Sequence, residues 1–196
     1  MRQLPFSEAW ERAAFQIVLG IFIVGELAGR VRSRRNRGGG VADWSLLVVV
    51  VSIGAGMAAG FAFASDVPAA AVTQARRPLF LAGLTLMCAG IALRQWAIAT
   101  LGDFFTVDVR VRPGQTVVAT GPYRWVRHPS YTGLIATFVG IGLALGNWAA
   151  LAALAVVPTM GLVVRIFVEE RLLLSRLGEP YRGFAATRAR LFPGLW

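Results

Sequence analysis

Apolar stretches of membrane-spanning length alternate along the chain with polar connections. Ala13 to Ala28, Trp44 to Ala64, Leu79 to Ala99, Tyr131 to Gly146 and Trp148 to Phe167 each hold at most one charged residue. A bilayer crossing takes about 20 apolar residues, so the pattern predicts an all-α polytopic membrane protein with about five transmembrane helices. The first stretch follows Glu8, Glu11 and Arg12 and runs into Arg30, Arg32, Arg34, Arg35 and Arg37. That order is the reverse of a cleaved signal peptide, and the stretch reads as a retained span. Gly38-Gly39-Gly40 supplies a flexible turn, Trp44 an interfacial aromatic, and Pro78 a helix start. Asn147 parts the last two stretches as a tight helical hairpin would, with both halves slightly short and Pro158 expected to kink the second.

Two segments break the pattern. Thr100 to Ser130 is polar, Gly- and Pro-punctuated and Arg-rich, so it cannot cross a bilayer. From Val168 on, Glu169, Glu170, Arg171, Arg176, Arg182, Arg188 and Arg190 interleave with Leu172, Leu173, Leu177, Tyr181 and Phe184. That spacing predicts an amphipathic helix lying on the membrane face. The chain thus divides into residues 1–99, holding spans one to three, and residues 100–196, holding the polar loop, the hairpin and the amphipathic end. Gly56 and Gly60, four apart in span two, can bring helix backbones together or be coincidence among 22 glycines.

Composition agrees. Of 196 residues 56% are hydrophobic and 15% charged, with a mean hydropathy of +0.61, which excludes a water-soluble globule. All 20 basic residues are Arg, against 10 acidic ones. Nucleic acid is a poor partner for this charge, because Arg gathered in the connections of an apolar chain follows the positive-inside rule. One side of five spans collects Arg30 to Arg37, Arg110 to Arg127 and the C-terminal arginines. The other holds Arg2, Arg12, Arg76 and Arg77. The N-terminus is therefore expected outside and both polar segments in the cytoplasm, where they can build one site. Cys88 is the single cysteine, so no internal disulfide forms, and one Cys with one His gives no metal site.

Two constellations can carry chemistry. His128, the only histidine, stands between Arg127 and Pro129 at the mouth of span four. The residues alone leave open whether it caps the helix or serves a site; Ser130 is too near it in sequence for a triad with a separate orienting acid. Arg165 and Glu169 share one helix face at spacing i, i+4, either as an ion pair with a snorkelling Arg or as a functional couple. Glu26 and Arg30 repeat the spacing and read as a plain pair. Arg94 near the end of span three either snorkels or faces the site.

The run Gly121-Pro-Tyr-Arg-Trp-Val-Arg-His-Pro-Ser-Tyr-Thr-Gly133, followed by Glu169-Glu170, Gly178-Glu-Pro-Tyr181 and Arg190-Leu-Phe-Pro193, resembles the isoprenylcysteine carboxyl methyltransferase family of integral membrane enzymes. Membrane methyltransferases acting on phospholipids share parts of it. The resemblance spans Leu93 to the C-terminus, and implies that Gln115, Thr116, Val117, Val118, Tyr123, His128, Pro129, Ser130, Tyr131 and Glu169 bind S-adenosylmethionine. It further implies that Arg165 holds the carboxylate of a lipophilic acceptor such as a prenylcysteine, with Arg110 as a looser candidate. Gln115 stands where some relatives have His, and Pro122 where some have Val; backbone groups can supply those contacts. Eukaryotic members have additional N-terminal spans, so this chain resembles a minimal five-span form.

The chemistry suits the composition. Methyl transfer to an ionised carboxylate needs no general base, so positioning and desolvation supply most of the catalysis, and an Arg fork suits the acceptor. The acceptor would enter from the bilayer and the cofactor from the cytosol, in what the Arg and Ala usage suggests is a bacterial inner membrane. Two alternatives stand beside this reading. Methylation of a lipid amine or thiol would need proton removal and give His128 or Glu169 a larger role. A small transporter or structural membrane protein would use the Arg-rich loops on anionic lipid. The acceptor and the oligomeric state are not written in the sequence.

Overall fold

A backbone in hydrocarbon must satisfy its own hydrogen bonds, and each apolar stretch accordingly becomes one helix. The computed structural model describes residues 6, 8–35, 44–108, 111, 114–194 and 196. Its α-helices are α1 (Ala9–Arg35), α2 (Trp44–Asp66), α3 (Arg76–Leu101), α4 (Pro129–Leu145), α5 (Trp148–Leu177) and α6 (Glu179–Ala186), with no strand among the described residues. The glycine turn expected at Gly38 to Gly40 and the candidate Arg110 lie outside the described residues.

Four of these helices, α1, α2, α3 and α5, are long and apolar enough to cross a membrane. The fifth apolar helix, α4, has 17 residues. At 1.5 Å per residue it is about 25 Å long, just under the roughly 30 Å hydrocarbon core. The sequence count of five full spans thus resolves into four and a short fifth, bounded by Pro129 and by Gly146, whose φ of +62° ends it. A second expectation is corrected at the C-terminal side. No separate amphipathic helix begins at Val168, because α5 runs through Leu177 with Pro158 inside it. A change of hydropathy does not break a helix; Gly178, at φ +62°, does. Only the eight residues of α6 follow.

The tightest packing joins α3 to α4 through glycines seven apart on each helix. A Cβ added at Gly90 would lie 2.6 Å from the Gly133 carbonyl oxygen, and one at Gly83 would lie 2.6 Å from that of Gly140. Backbones this close admit no side chain. The α2–α5 contact works the same way: a Cβ on Gly56 would meet the Pro158 ring at 2.7 Å and one on Gly60 would meet Leu154 at 2.6 Å. The Gly56–Gly60 spacing is therefore a packing device. Phe80, Met87, Phe138, Ile141 and Leu154 fill the core. Ile17, Val24, Leu47, Val156 and Met160 stay exposed on the outside, as side chains facing lipid do.

Asn147 ties the hairpin to α2. Its Oδ1 accepts from the Ala150 amide at 3.0 Å, capping α5. Its Nδ2 donates to the carbonyls of Val67 at 2.9 Å and Phe63 at 3.2 Å, satisfying the end of α2.

Gly133→Val forces a side chain into the α3 backbone, and overpacking of this kind costs about 1–3 kcal/mol or more. Gly20→Ala, where nothing lies within 4 Å, is the control. Thermal unfolding in detergent is expected to show a clear loss for the first and none for the second; equal melting points would refute the close approach.

Candidate active site

Residues from all six helices and from the loop between α3 and α4 line a cavity of about 340 Å³. One part of its wall is apolar, with Leu46, Val49, Val50 and Ile53 from α2 and Gly25 and Gly29 from α1. Leu134 and Leu162 continue that wall from α4 and α5. The rest of the wall mixes polar and apolar side chains and comes from α3, the loop, the start of α4, the outer part of α5 and α6.

Glu26, Arg94, Arg127, Arg165 and Glu169 come into the wall with partners. Arg94, on α3, makes a two-point pair with Glu26 of α1, its Nη2 lying 2.7 Å from Oε2 and its Nε meeting Oε1. Its remaining Nη1 donates to Ser130 Oγ at 2.7 Å. Arg94 therefore faces the site, and the Glu26–Arg30 pair read from spacing gives way to Glu26–Arg94. The reason is burial: the Arg94 side chain is 11% exposed, whereas Arg30 is solvent-exposed, and a buried guanidinium left without a carboxylate is far costlier than an exposed one. Arg165 is 4% exposed on α5. It donates from Nη1 to Ser45 Oγ at 2.7 Å and from Nη2 to the Val107 carbonyl, and so clips the loop and α2 to α5.

Tyr131 donates its hydroxyl to Glu169 Oε2 at 2.7 Å, yet the Glu169 side chain stays 30% exposed. The Tyr131 ring stacks on His128, with centroids 5.5 Å apart and 16° between planes. His128 does not cap α4 with its side chain; its Nε2 meets Glu170 Oε1 at 3.2 Å. Burial, aided by Glu169, pushes the Tyr123 phenol far above its ordinary range. Burial, aided by Glu170 and Glu169, does the same to Tyr181. Both hydroxyls remain protonated donors at physiological pH.

Of the residues singled out from the sequence, Gln115, Thr116, Val117, Val118, Tyr123 and His128 line this one cavity, joined by Ser130, Tyr131, Arg165 and Glu169. Pro129 does not: it is buried at the first position of α4. Sequence reasoning missed Ser45 and gave Glu26 a local partner, because a partner on a distant helix leaves no local spacing. It also missed the role of Glu170, although the doubled Glu was visible.

A helical membrane protein whose bundle and α3–α4 loop together line a cavity with both polar and apolar walls is the class that fold and site define. Residues 83–175 match the model of the isoprenylcysteine carboxyl methyltransferase (ICMT) family, and both the Arg-His-Pro-Ser-Tyr and the Glu-Glu blocks fall inside that match. The resemblance drawn from those blocks is borne out. Over 101 residues the chain is 35% identical to protein-S-isoprenylcysteine O-methyltransferase of Tribolium castaneum, covering 50% of this chain and 36% of that protein. Over 105 residues it is 36% identical to protein-S-isoprenylcysteine O-methyltransferase B of Arabidopsis thaliana, covering 53% of each. The chain thus spans about half or less of these relatives. The structure of the eukaryotic intramembrane Ras methyltransferase ICMT superposes with a TM-score of 0.62 at 28% identity, over 74% of this chain and 52% of that one.

Loss of charge at Glu26 separates the two pairings. Glu26→Gln leaves the Arg94 guanidinium without its carboxylate and should cost about 1–3 kcal/mol, whereas Arg30→Ala should be nearly neutral. Melting points of the two variants check this, and a larger loss for Arg30→Ala would restore the local pair.

Proposed function

We propose that the chain is an integral membrane methyltransferase that moves a methyl group from S-adenosylmethionine to the carboxylate of a lipophilic acceptor, of which a prenylcysteine is the model. One observation carries this reading. All the residues that the family resemblance assigns to the cofactor except Pro129 share a cavity with Arg165, and the same cavity continues into an apolar wall from α1 and α2. A water-soluble acceptor would have no use for that wall.

The donor set fits the cofactor. Glu169 offers a carboxylate to its positive groups, and Tyr123 and Tyr131 bring protonated phenols close by. When bound, S-adenosylmethionine supplies a sulfonium methyl: a carboxylate oxygen bonds to the methyl carbon, the carbon–sulfur bond breaks with its electron pair going to sulfur, and a methyl ester and S-adenosylhomocysteine result. No proton has to leave the acceptor, because the carboxylate is already ionised. Arg165 then orients the carboxylate and the apolar wall excludes water. Ser45 and the Val107 carbonyl hold the Arg165 guanidinium in place before any acceptor arrives, so little ordering remains at the moment of reaction. Cytoplasmic placement of the loop and C-terminus, with the N-terminus outside a bacterial inner membrane, belongs to the same proposal and rests on the Arg asymmetry.

Two tests bear on it. Arg165→Lys keeps the charge but loses the fork, so turnover of a prenylcysteine should fall about ten- to a hundredfold while S-adenosylhomocysteine affinity holds. Glu169→Gln should do the reverse. Equal small effects on both quantities would refute the assignment. Reporter fusions after Ala70, Asn147 and Trp196 should read outside, outside and cytoplasmic; a cytoplasmic signal at Asn147 would sink the orientation.

A further inference from the structure

Adjoining the cavity through Arg127 and His128 lies a cluster built around the buried Glu170. Glu170, 6% exposed, receives His128 Nε2 at 3.2 Å and Arg127 Nη1 at 2.7 Å on Oε1. Its Oε2 receives Arg190 Nε at 3.0 Å. The C-terminal segment is strapped along the same stretch of loop and helix. The amides of Arg127 and His128 donate to the carbonyls of Ala189 and Arg190, both at 2.9 Å, and Thr132 Oγ1 donates to the Leu191 carbonyl at 2.7 Å. The Arg190 guanidinium is itself held over the rings of Phe167 and Trp196, 5.3 and 5.0 Å from their centroids.

His128 connects this cluster to the cavity. In a neutral imidazole the ring nitrogen that faces a carboxylate carries the hydrogen, and a hydrogen on Nε2 leaves Nδ1 as the acceptor. The carboxylate nearest to Nδ1, Glu169 Oε2, is 4.0 Å away, beyond hydrogen-bond reach. A carboxylate behind an imidazole fixes both tautomer and ring orientation, as partners behind metal-bound histidines do.

We infer that Glu170 and Arg190 are positioning residues of the cofactor site: together with the C-terminal segment they lock His128 so that Nδ1 presents a hydrogen-bond acceptor to an N–H or O–H group of the bound cofactor. This rests on the cofactor reading given under Proposed function. Both the Arg190 segment and α6 lie beyond the matched residues 83–175. Arg190 matters because Glu170 must balance two guanidiniums while serving His128; without Arg190 the carboxylate loses its second anchor and the strap its ion pair.

Calorimetric titration of the detergent-purified full chain with S-adenosylhomocysteine tests the inference. Arg190→Gln is expected to weaken binding about tenfold, and Arg190→Lys, whose ammonium still reaches Oε2, to recover most of that loss. Glu170→Gln should weaken binding further in the same direction. Asn147→Ala, remote from the cavity, should lower the melting point without changing the affinity, which separates positioning from general destabilisation. Unchanged affinity in folded Arg190→Gln, or the same loss in Asn147→Ala, would overturn the positioning role. Should Glu170→Gln not fold, the Arg190 pair decides alone, since that side chain is 26% exposed. No binding by the unaltered chain would instead overturn the cofactor reading, and the positioning role with it.

Discussion

The rest of the molecule depends on the backbone contact between α3 and α4. With Gly83 and Gly90 facing Gly140 and Gly133, the two helices approach until only main chain separates them. That closeness carries the beginning of α4 against the outer part of α3, where an added Cβ on Gly133 would lie 2.8 Å from the Arg94 amide nitrogen. Arg94 then reaches Ser130, and the segment from His128 to Tyr131 is aimed into the space that α1 and α2 leave open. In a bilayer there is no hydrophobic gain from pressing helices together, so small residues that allow dispersion contact are what holds such a pair.

A second constraint follows from the first. A cavity recessed among apolar helices cannot leave charges unmatched, because the desolvation cost of each is several kcal/mol. Glu26 answers Arg94, Glu170 answers Arg127 and Arg190, and Tyr131 engages Glu169. These pairings join elements remote in sequence: α1 with α3, α5 with the C-terminal segment, and α4 with α5. The polar groups of the site are thus also its struts.

Much of this was legible in the chain itself. Spanning helices follow from the period and length of apolar runs, and the candidate site residues were marked by the family resemblance of short blocks such as Arg127 to Tyr131. What the sequence hid has a common physical cause. Glu26 has Arg30 one turn away, and spacing alone cannot reveal that a guanidinium buried 68 residues later competes for the same carboxylate. Likewise the polar residues after Val168 look like a new amphipathic helix, since hydropathy reports the surroundings of a helix and not its continuity; only Gly178 breaks the backbone.

The doubled acid on α5 illustrates how helix phase assigns chemistry. Successive residues on an α-helix point about 100° apart. Leu162, Arg165, Glu169, Leu172 and Leu173 recur at three- and four-residue steps and line the cavity together. Ile166 and Glu170, one position on from Arg165 and Glu169, are buried, and Glu170 meets the C-terminal segment. Two identical side chains, adjacent in sequence, consequently meet different partners: one a phenol in an open cavity, the other a buried set of guanidiniums and an imidazole. Neither can substitute for the other without a rotation of the whole helix, and the Gly56–Pro158 and Gly60–Leu154 contacts with α2 forbid that rotation. The packing glycines of the hydrocarbon region therefore fix, at a distance, which acid serves the cavity and which anchors its wall.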